Sequence, residues 1–303
     1  MAITLTALLT QKSPILYDGA TGTFLQKMGL PLRSAPEKWV LDQPANVFAA
    51  ASAYVNAGAQ IILTCTFGGT ALRLLEAGLD AHAYEINHRA AQLAKQAAEG
   101  RALVAGSIGP IGQLPLILGT LNYKEAVEQF ADQARALADG GVDLFSIESM
   151  SDIGEMKAAI EGALRGANLP IFATMSFDTN GKTLTGITPT LAAHELLNAR
   201  VAAMGANCGQ GPEDVAAILQ EMHAAARGAV LIAKPNAGIP EIRTGQVIYP
   251  IPPARFAMFA HDWARAGARI VGGCCGTTPQ YIVAVRDALS PSKSSPSRQQ
   301  VIS

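Results

Sequence analysis

Eight short runs rich in β-branched residues recur along this chain, and Ala-rich stretches with helical periodicity separate them. That alternation limits the possible folds more than any other feature. The runs are PILYD (14–18), QIILTC (60–65), ALVAGSI (102–108), VDLFSIE (142–148), PIFATMS (170–176), VAAMGANC (201–208), AVLIAKP (229–235) and ARIVGGC (268–274). In the intervening YKEAVEQFADQARALADGG (123–141), Val127, Phe130, Ala134, Leu137 and Ala138 recur at helical spacing and a glycine pair closes the helix. PEDVAAILQEMHAAARG (212–228) opens on proline and ends on glycine, as helices do. Strands alternating with helices imply a parallel sheet. Eight such units in 303 residues predict one α/β domain, a (β/α)8 TIM barrel, over residues 1–290. A doubly wound sheet is the alternative. The polar stretch SPSKSSPSRQQ (290–300) has no apolar periodicity, so residues 291–303 are expected to be a disordered tail.

Charge and composition exclude several classes of function. The formal net charge is −1 with the signs interspersed. No basic stripe offers itself to nucleic acid. No apolar run approaches the about 20 residues of a membrane span. The N-terminal MAITLTALLTQKSP lacks a cationic start and a small-residue cleavage site, so no signal peptide is expected and the reading is cytoplasmic. Four cysteines in a chain of this length are not a disulfide scaffold; they point to metal, catalysis or burial.

In a (β/α)8 barrel the active site lies at the C-terminal ends of the strands. The chemically distinctive residues of this chain fall there: Asp18-Gly19-Ala20-Thr21-Gly22-Thr23, Cys65, Gly106–Pro110, Glu148, Asn207-Cys208-Gly209, Lys234-Pro235-Asn236 and Gly272–Gly276. Cys208, Cys274 and Cys275 converge if the barrel is right. Three thiolates form a plausible Zn²⁺ set, and an open fourth position marks a catalytic site. Burial as small hydrophobes is the alternative, and a redox pair a weaker one without C-x-x-C. A vicinal pair is a poor disulfide. Neighbours on a strand point to opposite faces, so both cysteines reach one ion only through a sharp turn, which the flanking glycines permit. Cys65 reads as a packing residue.

DGATGT is either an anion-receiving turn or an ordinary strand-to-helix turn. Asp18 can receive an ammonium group or merely cap, and Glu148 can do the same or form a rim salt bridge. Together these features suit an α-amino acid. Asn236 can contact a metal or its ligand, or serve only as a turn residue. Lys234 raises a rival, a Schiff-base aldolase. NGKT (180–183) is not a phosphate loop, because Ser176 stands where the first glycine is required. It reads as an Asn-Gly turn.

DGATGTFLQKMG (18–29), GANCGQGPED (205–214), KPNAGIPE (234–241) and GGCCGTTPQYI (272–282) resemble the homocysteine S-methyltransferase family, in order, from about residue 10 to 290. Within it, NCGQGP, PNAG and GGCCGTTP look most like the homocysteine-binding module of cobalamin-dependent methionine synthase. Members using S-methylmethionine tend to carry Arg where Gly276 stands, and betaine-using members depart from TTP at 277–279. The resemblance implies a (β/α)8 barrel and zinc on Cys208, Cys274 and Cys275. It implies amino-acid binding by Asp18, Gly19, Ala20, Thr21 and Glu148, with Asn236 beside the open zinc position. The implied reaction converts homocysteine to methionine. Folate- and cobalamin-binding modules have no match here, so the expected donor is methylcobalamin on a separate corrinoid protein. The alternatives are a small methyl-onium donor, a fragment of a longer enzyme, or a non-catalytic zinc- or thiol-binding module.

Overall fold

The computed structural model describes residues 3–112, 121–178, 180–243 and 246–290; the expected tail at 291–303 lies outside the described residues. All eight runs form strands of one parallel sheet: β1 (Ile15–Leu16), β2 (Ile61–Leu63), β3 (Leu103–Ile108), β4 (Leu144–Met150), β5 (Ile171–Met175), β6 (Ala203–Cys208), β7 (Leu231–Pro235) and, after a hairpin of β8 (Glu241–Arg243) and β9 (Gln246–Ile248), β10 (Ala268–Val271). The sheet runs β1-β10-β7-β6-β5-β4-β3-β2. A parallel bridge between Tyr17 and Ile61 joins its two edges, supported by Gln60 N–H donating to the Leu16 carbonyl at 2.7 Å and Asp18 N–H to that of Ile61 at 3.0 Å. The architecture is the expected (β/α)8 barrel.

Strand alternation sorts the side chains into two layers. Ile15, Tyr17, Ile61, Leu103, Ala105, Leu144, Phe172, Ala203, Ile232 and Ile270 fill the barrel, with Leu8 of the helix Leu5–Thr10 packed against them. The opposite faces, Val104, Phe145, Ile147, Ala173, Met204, Leu231, Ala233 and Val271, pack on the surrounding helices. The helix Tyr123–Asp139 opens with a reciprocal capping box between Asn122 and Glu125. Beyond the inward apolar layer, the same period-two count brings Ser107 and Lys234 inward two residues on, and Glu148 and Asn207 four residues on. The interior therefore turns polar toward the C-terminal rim, and there the candidate site is built.

Candidate metal centre

β10 ends at Val271, so Cys274 and Cys275 lie beyond the strand. Thr277 N–H donates back to the Cys274 carbonyl at 3.1 Å, closing a tight turn whose third residue is Gly276 with φ of +84°. A type II turn requires positive φ at that position, and glycine adopts it without steric cost. The turn frees the vicinal pair from strand alternation. Cys208 ends β6 with φ of +58°, and Ser149 near the end of β4 has φ of +61°. Non-glycine residues held in this region are strained, and such strain gathers at functional sites.

The three sulfurs lie within 4.8 Å of one another, with Cys208 and Cys274 Sγ 2.9 Å apart. Zinc with tetrahedral Zn–S bonds of ~2.3 Å spaces its sulfurs ~3.8 Å apart, so small side-chain movements suffice to seat it. Asn236 adds a second sign of fit. Its Nδ2 donates to the Gly209 carbonyl at 2.8 Å, and its Oδ1 is buried with no hydrogen-bond partner among the described residues. Asn207, 1% exposed, faces the sulfurs with its amide nitrogen, 3.5 Å from Cys208 Sγ and 3.7 Å from Cys274 Sγ. Its Oδ1 accepts from Ser149 N–H at 2.8 Å and Thr174 Oγ1 at 2.7 Å, which fixes the amide's orientation.

The thiols perturb one another. Hydrogen bonds from Cys208 and Cys274 pull Cys275 down to about 3, the Tyr249 hydroxyl assisting against burial. Hydrogen bonding to Cys274 and Cys275, then burial, pushes Cys208 well up. Its hydrogen bond with Cys208 pulls Cys274 down, but the bond to Cys275, burial and the Cys275 charge outweigh this and carry it up to about 12. One proton leaves easily; the other two leave when a cation neutralises the growing charge. A metal held by the three would therefore bind more tightly as pH rises.

Beside the sulfurs lies a buried ion cluster. Lys234 Nζ is 3.4 Å from Asp18 Oδ1, 3.5 Å from Glu148 Oε2 and 4.0 Å from the centroid of the Tyr17 ring. All three charged residues are at most 4% exposed. Asp18 Oδ2 accepts from Leu63 N–H at 2.6 Å, and Glu148 Oε1 from Ser107 Oγ at 2.5 Å. Burial raises Asp18 to about 6 against the pull of Lys234, and raises Glu148 in the same sense. Lys234 stays protonated well above the usual lysine range, because the attraction of Glu148 and Asp18 overcomes its burial. An ammonium so held has no free electron pair, and the Schiff-base reading finds no support.

A cavity of about 470 Å³ opens onto Cys208, Cys274, Cys275, Glu148, Ser107 and Lys234. Gly19–Thr23, Leu32–Glu37, Phe67 and Arg73 line its other sides. Of the expected substrate residues, Gly19, Ala20, Thr21 and Glu148 line this cavity; Asp18 and Asn236 do not. The Thr277 hydroxyl stitches the first loop to the cysteine turn, donating to the Cys274 carbonyl at 2.7 Å and accepting from Ala20 N–H at 3.2 Å. Cys65 stands outside the sulfur cluster: it packs with Leu25, Val40 and Leu74 and lines the same cavity.

Sequence reasoning placed Ser107 and Asn207 on the rim without giving either a role, and missed the roles of Ser149, Thr277 and Tyr249 and the inward placement of Lys234. Counting alternate residues from Ile232 would have turned Lys234 inward. The Leu32–Glu37 wall carries no motif to find it by.

The homocysteine methyltransferase MmuM from Escherichia coli superposes in its oxidised form with a TM-score of 0.76 at 28% identity, over 93% of this chain and 98% of that one. Its metallated form gives 0.76 at 27% identity, over 93% and 99%. A methyltransferase from Methanosarcina mazei shares the fold at 11% identity, with a TM-score of 0.64 over 94% of this chain and 96% of that one. The family model described as homocysteine S-methyltransferase matches residues 15–289. Carrying that match over nearly its whole length, the chain belongs to the homocysteine S-methyltransferase family.

Proposed function

We propose that this chain is a zinc-dependent homocysteine S-methyltransferase that forms methionine, with a small methyl-onium compound as donor. The observation that carries the reading is the opening of three clustered thiols and a buried carboxylate onto one cavity. Zinc bound to Cys208, Cys274 and Cys275 would hold the acceptor sulfur as a nucleophilic thiolate at neutral pH.

The chain's own groups supply orientation. Glu148 faces the cavity and receives the acceptor's ammonium. The turn Gly19–Thr21 receives its carboxylate: Ala20 N–H is already given to Thr277 Oγ1, but the helix Thr21–Lys27 begins with no side-chain cap, which leaves its first N–H groups for a ligand. Asp18 serves from beneath, through Lys234. Asn236 presents its unpartnered Oδ1 for the open metal position. Asn207 directs N–H toward two of the sulfurs and restrains their charge. Holding acceptor and donor in one cavity makes the transfer effectively intramolecular.

Charge and size favour such a donor. Zn²⁺ held by three thiolates would carry −1, and with an acceptor thiolate −2. A centre of that charge would attract a sulfonium or quaternary ammonium, which departs as a neutral thioether or tertiary amine once its methyl group has passed to the acceptor's sulfur. The cavity falls in the small-molecule range of about 300–1,000 Å³. The expected methylcobalamin rests on the NCGQGP, PNAG and GGCCGTTP motifs alone; the fold and the similar structures add no support for it or for a corrinoid partner. No helix among them is long and apolar enough to cross a membrane.

The test supplies zinc-loaded protein with homocysteine and, separately, methyl-deuterated S-methylmethionine, betaine and methylcobalamin. Labelled methionine from an onium donor is the expected result. Labelled product from methylcobalamin alone would restore the corrinoid reading, and none from any donor would remove the enzymatic one.

A further inference from the structure

Asp18 and Glu148 are the two buried carboxylates that an acceptor's ammonium would seek, yet the chain already places an ammonium between them. Lys234 Nζ lies against Asp18, Glu148 and the face of the Tyr17 ring, as many partners as it has N–H groups. Asp18 does not line the cavity, and its second oxygen is held by Leu63 N–H at 2.6 Å. Glu148 does line it, with its oxygens already facing Ser107 Oγ at 2.5 Å and Lys234 Nζ at 3.5 Å. Without the lysine the two carboxylates carry −2 around a vacant slot and require a cation. With it the cluster carries −1, and its best cation position is filled from within the barrel.

We propose that Lys234 is a specificity-determining residue: by filling the ammonium slot it lets the site accept thiols that lack a protonated α-amino group, ω-mercaptocarboxylates in particular, alongside homocysteine. The proposal rests on the thiol-activating reading above. Where a ligand's ammonium is the only partner of a buried carboxylate, its deletion strands a charge and weakens binding roughly 30-fold or more. Here Lys234 and Ser107 still satisfy Glu148 when the ligand brings no ammonium, so the deletion costs little. The specificity that remains comes from the sulfur and from the carboxylate at the first loop.

The experiment titrates the full-length protein, loaded with Co²⁺ as a visible stand-in for zinc, with homocysteine and with 4-mercaptobutanoate. Binding is read from the thiolate-to-cobalt charge-transfer band, without turnover. The two dissociation constants are expected to lie within tenfold of each other; a larger penalty for 4-mercaptobutanoate overturns the proposal. Lys234→Met keeps an unbranched side chain only one atom shorter and removes its charge, so the preference for homocysteine is expected to widen at least tenfold. An unchanged ratio in a variant that still binds homocysteine also overturns it. If circular dichroism shows the variant unfolded, the wild-type ratio decides alone. A band that ignores homocysteine altogether refutes the thiol-activating reading itself, and the inference with it.

Discussion

Replacing Asn207 by Asp changes one NH₂ for an oxygen with almost no change in shape. The oxygen that accepts from Ser149 N–H and Thr174 Oγ1 keeps both bonds. The other takes the place of the nitrogen that lies 3.5 and 3.7 Å from two sulfurs. The zinc-loaded site carries −1, and a second negative charge about 4 Å away costs about 4 kcal/mol at an effective dielectric constant near 20. Protonation offers no cheap escape: raising an Asp from its usual ~3.9 to stay neutral at pH 7 also costs about 4 kcal/mol. The metal-free cluster already carries −1 through Cys275, as the zinc-loaded one does, so this cost falls on folding rather than on zinc binding. Stability is therefore expected to drop by about 4 kcal/mol at pH 7. At pH 6 protonation costs only about 3 kcal/mol, and the deficit shrinks accordingly. Urea denaturation at both pH values measures this. A variant as stable as wild type at pH 7, or one whose deficit grows on acidification, refutes the reasoning.

Cys208→Ala, Cys274→Ala and Cys275→Ala are each expected to abolish stoichiometric zinc and methyl transfer; one such variant retaining both by metal analysis and assay removes that residue from the ligand set. Gly276→Ala puts a Cβ 2.2 Å from Tyr249 Cγ at a φ of +84°. Its positive φ costs about 1–2 kcal/mol and the overpacking about 1–3 kcal/mol, a loss that urea denaturation reads directly. Asp18 stands at about 6 against its ordinary 3.8. A carboxyl raised by folding contributes stability that is fully present below its unfolded value and is lost as pH climbs through the folded one. Wild type is expected to lose about 2 kcal/mol relative to Asp18→Asn between pH 4 and pH 7, and a constant difference in urea melts contradicts it.

The barrel was legible because parallel strands buried on both faces read as unbroken β-branched runs. The strands came out shorter than those runs. PILYD keeps only Ile15 and Leu16 as a strand; Tyr17 and Asp18 still bond to Ile61 at the seam, but the Asp18 carboxylate, not a main-chain carbonyl, takes the Leu63 N–H that would have continued the ladder. The β8–β9 hairpin went unseen; three-residue strands are too short for periodicity to register. The cysteine centre was legible because each ligand sits at the C-terminal end of a strand or just past one. The Lys234 cluster was not, because its pairing with Asp18 joins residues 216 apart and follows only from closure of the barrel. The role of Asn207 likewise depends on Ser149 holding a positive φ, which no motif announces.

The central claim is that three cysteines hold a zinc ion with a position open to the acceptor's sulfur. X-ray absorption at the zinc edge, before and after addition of homocysteine to the reduced protein, tests it most directly. The account predicts about one zinc per chain with three sulfur ligands, becoming four when homocysteine binds. Zinc already bound by four sulfurs, or a spectrum that homocysteine leaves unchanged, would contradict it.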